Sequence, residues 1–356
     1  MTRTEPAAET TAPDTVAEGP YFEELQVGQV FDTAPGLTLS TGHAAAHQTI
    51  VGDRLRLPLD AALSEEVTGA APLAHPALVW DVAIGQSTLA THHVKANLFY
   101  RGLVFHRAPL IGDTLRTSTE VVALRQNRPR PGRRATGLAA LRITTADQEG
   151  RPVLDFWRCA MLPLRDPDRV TGQDAELDTV GEPPSASALT GLAAGWRLDR
   201  FRTRNPGVHF EDLKEGSSLR VGGGDVISSA PELARLTLNV AQVHHDERAA
   251  GGAGRLVYGG HTIGIALSQA ARALPNLVTV AGWHGCDHIG PVREGDTLRS
   301  DITVERLEPL PDGGGLVHLR SLVRRDTTGS DRDGHDGREG RDGQDVLDWR
   351  YVAVMA

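Results

Sequence analysis

Cysteine is almost missing from this chain: of 356 residues only Cys159 and Cys286 carry thiols, and they stand in separate halves. A disulfide framework and paired zinc-ligand cysteines are thereby excluded, and a reducing, cytoplasmic home is expected. Lysine is equally scarce, at Lys95 and Lys214, so 35 of the 37 basic residues are arginines and their abundance says little by itself about phosphate binding. No run of eighteen apolar residues occurs, which argues against a spanning helix. Residues 1–19, rich in Thr, Ala, Glu and Pro, lack the apolar stretch of a secretion signal and are expected to form a disordered arm. The net charge is −9 and the basic residues are scattered, leaving no concentrated positive face for nucleic acid or an anionic membrane.

What the chain does contain is a repeat. Tyr21-Phe-Glu-Glu-Leu-x-x-Gly28 is echoed 188 residues later by His209-Phe-Glu-Asp-Leu-x-x-Gly216. Gly112-Asp-Thr-Leu-Arg116 returns as Gly295-Asp-Thr-Leu-Arg299, 183 residues on, and Val153-Leu-Asp-Phe156 returns as Val346-Leu-Asp-Trp349, 193 on. Three collinear matches at nearly one offset make the chain two copies of one unit. Copy one is read over 20–164 and copy two over 201–356, with a Pro/Ser/Gly/Ala-rich linker at 165–200. The run 326–345 alternates Gly with charged residues and is read as a disordered loop joining two strands.

Each copy carries a short helix, a longer helix and then several strands. In copy two, Ser229-Ala-Pro231-Glu232 has the marks of a capped helix start. The longer helix follows Gly259-Gly260-His261, with Ile263, Leu267, Ala270 and Leu274 on one face and Pro275 ending it. Its counterpart starts near Pro76 with Leu78, Val82 and Leu89 inward. Alternating apolar segments after each long helix read as antiparallel strands. The fold class is α+β, a helix beside an antiparallel sheet, and two such units in tandem suit a double hotdog.

These segments resemble the MaoC-like hydratase/dehydratase family, and within it the double-hotdog mesaconyl-CoA hydratases, also called β-methylmalyl-CoA dehydratases. The resemblance runs from about Tyr21 to Ala356 and is carried by the Tyr21 motif, Leu124-Arg-Gln-Asn127, Ala241-x-Val-His244, Val257-Tyr-Gly-Gly-His261 and both Gly-Asp-Thr-Leu runs. It implies an enzyme, a hydro-lyase that moves water across an enoyl-CoA, most simply mesaconyl-CoA. The partner is then an acyl-CoA thioester, with CoA as part of the substrate, no cofactor, no metal, and homo-oligomers allowed. Two alternatives stand: a hydratase or carrier-protein dehydratase of other acyl specificity, and an acyl-CoA binding protein that has lost catalysis.

The family's Asp-x-Asn-Pro-x-His motif departs here in both copies. Anchored on His244, copy two has Asn239 for the acid, Ala241 for Asn and Gln242 for Pro, with Asp246 trailing. Copy one has Asp53 for the acid, but Pro58 stands where His belongs. The candidate catalytic residues are therefore His244 as base, Asn239 as the group orienting water, and Asp246, read on an extended stretch, as a nearby acid. Gly259 and Gly260 ahead of the long helix suit a thioester oxyanion, with Tyr258 and His261 beside them. Arg125, Gln126 and Asn127 are candidates for CoA phosphates or equally for an exposed hairpin. His244-His245-Asp246 and His284-x-Cys286-Asp287-His288 have metal-like content, but hydration of a thioester-activated alkene needs none, and the second cluster is read as strand residues lining a pocket.

Overall fold

The computed structural model describes residues 17–70, 72–250, 254–326 and 343–356. Most of the arm 1–19 and of the run 326–345 lies outside the described residues. Copy one supplies strands β1 (Ala96–Phe105), β2 (Thr114–Gln126), β3 (Thr136–Ala146) and β4 (Pro152–Pro163). Copy two supplies β5 (Leu277–His288), β6 (Thr297–Pro309), β7 (Gly315–Asp326) and β8 (Gly343–Met355). The two-residue period is visible in β2, where Leu115, Thr117, Thr119 and Val121 are buried while Arg116 and Glu120 face out.

The eight strands lie in the order β2-β3-β4-β1-β5-β8-β7-β6 within one sheet. Each copy repeats the same internal order in mirror sequence, and the copies join where β1 pairs antiparallel with β5, Tyr100 opposite Cys286. Two long helices pack together against this sheet: α1 (Pro76–Gln86), buried at every residue, and α2 (Gly259–Ala273), buried from Gly260 to Ala271. A helix apolar on all sides needs cover on all sides. Part of that cover is Trp283 of β5, edge-on to Trp80 of α1 at 4.8 Å, so copy-two aromatic surface closes the copy-one core.

The repeated motifs do identical work in both copies. Gly112 (φ 108°) and Gly295 (φ 90°) make the turns into β2 and β6. The following Asp113 and Asp296 close those turns by accepting from the backbone of Leu110 and Arg293 at 2.9 and 2.7 Å. The carbonyls of Leu115 and Leu298 accept from Gln86 and Gln269 at the ends of α1 and α2, at 3.0 and 2.9 Å. Phe22 and Phe210 each sit on a glycine of a neighbouring strand, Gly137 and Gly315, where a β-carbon would collide with the ring.

Some local expectations are corrected. Ser229 is left-handed (φ 60°) and makes no side-chain cap; Glu294, from a distant turn, takes the Ala230 N–H instead at 3.4 Å. Leu89 falls in a 3-10 turn after α1, only half-buried. The linker is packed rather than loose: Leu177, Leu189 and Leu192 are buried, and Arg101 of β1 holds the carbonyls of Leu177, Asp178 and Val180. Leu189 and Leu192 lie on and just after a short helix, Ala186–Gly191, which the sequence reading did not anticipate. Asp326 pairs directly opposite Gly343, so β7 and β8 form the expected hairpin. Among the described residues, no helix is long and apolar enough to cross a membrane.

Candidate active site

A cavity of about 550 Å³ opens at the seam of the two copies, lined by Thr88, Lys95, Tyr100 and Arg158 of copy one and by Asn239, His244, Tyr258, Gly259, His288 and Arg293 of copy two, among others. Lys95 is exposed and Arg293 half-buried, whereas Arg158 is buried. Among the described residues no carboxylate lines it.

His244 closes a 3-10 turn, Gln242–His244, and its Nδ1 lies 2.8 Å from the Leu256 carbonyl. A carbonyl only accepts, so the neutral ring carries its proton on Nδ1 and its lone pair on Nε2. Withdrawal from solvent, reinforced by His245 and Arg158, holds its pKa down to about 4 against the help of the Leu256 bond. At neutral pH His244 is thus a free base. Asn239 is buried, and its Oδ1 accepts from the Ala241 N–H at 2.9 Å, which leaves the amide nitrogen as a donor.

Tyr258 caps α2, its ring edge-on to His244 at 5.8 Å, and its hydroxyl donates to the Asp81 carbonyl at 3.1 Å. Gly259 is the first residue of α2, whose leading N–H groups have no partner within the helix. A β-carbon there would stand 2.6 Å from Nε2 of His288. His288, at the end of β5, is held neutral by burial and by His244, and its Nε2 is buried without a partner.

The structure brings His244, Asn239, Tyr258 and Gly259 together and separates the remaining candidates from them. Asp246 is exposed, its carboxylate accepting from the Arg248 backbone, and it does not line the cavity. The expected acid beside His244 is therefore corrected: the chain turns through a 3-10 helix instead of running extended, so spacing by two does not share a face. His245 points back to the Asn239 carbonyl at 2.6 Å and steadies the loop. Gly260 and His261 face away from the cavity, Gly260 against Asp81 and His261 fully buried with neither ring nitrogen bonded. Gln126 holds the linker through Arg169 and Thr171, Asn127 bonds Thr136, and Arg125 bridges Asp174 through the backbone, so the Leu-Arg-Gln-Asn motif staples the linker to the sheet. In the second histidine run, His284 is the bulged residue of β5 and bonds His318 at 2.9 Å, whereas His288 does line the cavity.

Sequence reasoning missed a buried network in copy one. His47 Nδ1 lies 2.7 Å from Asp53 and its Nε2 3.3 Å from Asp81, while His75 Nε2 lies 3.2 Å from Asp53. Burial alone would depress His47, but the two carboxylates outweigh it and push its pKa up to about 10, so the ring is an imidazolium between them. His47, Asp53 and His75 also have the content and spacing of a metal site. Tautomers decide the matter: His75 Nδ1 accepts from the Ala77 N–H at 3.1 Å, which puts the neutral ring's proton on Nε2, 3.2 Å from Asp53 but without a hydrogen bond to it. His47 is hydrogen-bonded to both carboxylates, and His75 stands beside that ion network. Positions 183 residues apart, the offset of the Gly-Asp-Thr-Leu runs, explain why copy one has no equivalent cavity chemistry. Gly259 corresponds to Pro76, which has no N–H to donate, and His288 to Phe105.

A family described as Mesaconyl-CoA hydratase matches residues 4–300. The β-methylmalyl-CoA dehydratase of Chloroflexus aurantiacus is 27% identical over 349 residues, covering 95% of this chain and 97% of its own. The mesaconyl-CoA hydratase of Cereibacter sphaeroides is 26% identical, covering 87% and 90%. Among solved structures, a conserved hypothetical protein from Mycobacterium tuberculosis, described as having a double hotdog fold, superimposes with a TM-score of 0.85 at 54% identity, covering 95% of this chain and 99% of that one.

Proposed function

The chain belongs to the mesaconyl-CoA hydratase family, and from that membership we propose that it is a hydro-lyase adding water reversibly to mesaconyl-CoA to give β-methylmalyl-CoA. The observation that carries the reading is that a free base, His244 Nε2, and the leading N–H of α2 at Gly259 serve one cavity with no competing carboxylate. Water held by the Asn239 amide donates a proton to Nε2 of His244 while its oxygen bonds the β-carbon. The α-carbon then takes that proton back from the imidazolium, and the negative charge gathered on the thioester oxygen in between is met by the helix N-terminus. One C–O and one C–H bond form as the C=C π bond is lost, with no net oxidation or reduction, so the reading calls for no redox cofactor. Lys95 and Arg293 at the open side suit the CoA phosphates.

Purified protein mixed with mesaconyl-CoA should lose the enoyl absorbance and form the β-hydroxy thioester. Release of free CoA, or binding with no turnover, would overturn the reading, and faster turnover of crotonyl-CoA would assign a different acyl group. A second expected result concerns the helix start. Gly259→Ala should cut kcat by about 10²-fold, because the new methyl must displace His288 and crowd the thioester oxygen away from its donor. Steady-state kinetics beside a thermal melt check this, and an unchanged kcat would remove Gly259 from the oxyanion role.

A further inference from the structure

We infer that Arg158 is the anchor for a free carboxylate on the acyl group, so that the cavity is built for dicarboxylic enoyl thioesters. The inference rests on the hydratase reading for the reaction but on separate residues for the specificity. Arg158 lies on β4 opposite Tyr100 and is 3% exposed. Its Nη2 donates to two neutral oxygens, the Ser87 carbonyl at 3.2 Å and Thr91 Oγ1 at 2.8 Å. Its Nε is buried without a partner. No Asp or Glu among the described residues forms an ion pair with it, and none lines the cavity it borders.

A guanidinium cannot shed its charge on burial, because it stays protonated at any working pH. A buried charge without a countercharge is strongly disfavoured in a finished fold. Among the described residues none is supplied, so we take the anion to come with the ligand. Position identifies which part of the ligand that is. Lys95 and Arg293 stand at the exposed side, where the CoA nucleotide enters, and Gly259 takes the thioester. Arg158 comes from β4 of copy one and lines the same cavity as His244 while almost wholly withdrawn from solvent. With CoA placed at Lys95 and Arg293 and the thioester at Gly259, the acyl group is the part left to reach Arg158, and a carboxylate on its β-carbon would meet the unpartnered Nε.

The test compares mesaconyl-CoA with tiglyl-CoA, which carries a methyl group where mesaconyl-CoA carries the carboxylate and has the same CoA phosphates. Wild type, Arg158→Met and Arg158→Lys are assayed for kcat/KM and, by calorimetry, for Kd of both thioesters. The expected result is that the mesaconyl-to-tiglyl ratio falls by about 10²-fold in Arg158→Met and by about tenfold in Arg158→Lys, which keeps the charge but loses the fork. Equal losses on both thioesters would overturn the proposal and assign Arg158 to CoA or to the fold. Should Arg158→Met fail to fold, the Arg158→Lys ratio decides alone. If wild type hydrates neither compound, the hydratase reading fails, and the Kd ratios still judge the carboxylate anchor by the same criterion.

Discussion

Replacing His244 by alanine is expected to lower kcat for hydration by at least about 10³-fold while the melting temperature stays within a few degrees of wild type. His244 is the one side chain of the retained family motif that presents a lone pair to the cavity at neutral pH; Asn239 offers only its amide donor there. Its single tertiary bond is to one backbone carbonyl, so little packing is lost on truncation. The pH profile provides an independent check. A base is active when unprotonated, and His244 is held down to about 4, so activity should persist below pH 6.5 and fall only as pH approaches 4. Stopped assays from pH 4 to 8 on wild type and variant test both parts. Residual turnover within tenfold of wild type, or an acid limb centred near 6.5, would remove His244 from this role.

The second large effect is on stability. His47→Ala should cost about 3–5 kcal/mol, because it leaves Asp53 and Asp81 buried without the imidazolium between them. The sign with pH follows from the raised value. His47 gains its proton more readily folded than unfolded, so its contribution is fully present below about pH 6.5 and is lost as pH rises through about 10. Chemical denaturation of wild type and variant at pH 6 and at pH 10 should therefore show a large gap that narrows at the higher pH. A gap that is small at pH 6, or widens with pH, would show that the ring is neutral in the fold. The network is remote from the cavity except through Asp81, which receives the Tyr258 hydroxyl, so the main readout is unfolding.

Local rules account for much of what was legible in advance. The repeat itself, the Gly-Asp turns into β2 and β6, both long helices and the strand segments follow from period and turn chemistry, and His244, Asn239, Tyr258 and Gly259, singled out by motif, do line one cavity. These signals survive in one dimension because each depends on residues a few positions apart. Asp246 misled because two-residue spacing implies one face only in extended chain, and the chain there is a 3-10 turn. Leu124-Arg-Gln-Asn127 misled because an arginine-rich motif looks the same whether it meets a phosphate or a linker carbonyl.

Two units, the turns within each, and the half that carries the motif histidine His244 can all be read from residues near one another in the chain. The pairing of β1 with β5 decided the rest. That seam sets Arg158 and Tyr100 of copy one beside His244, Gly259 and His288 of copy two, and it sets Tyr258 of copy two on Asp81 of copy one. Packing within copy one sets Nη2 of Arg158 on two neutral oxygens and buries His47 between two acids from different elements. The physical reason is that a side chain's charge and spacing are written in sequence, whereas its burial and its partners come from segments as far as 219 residues away.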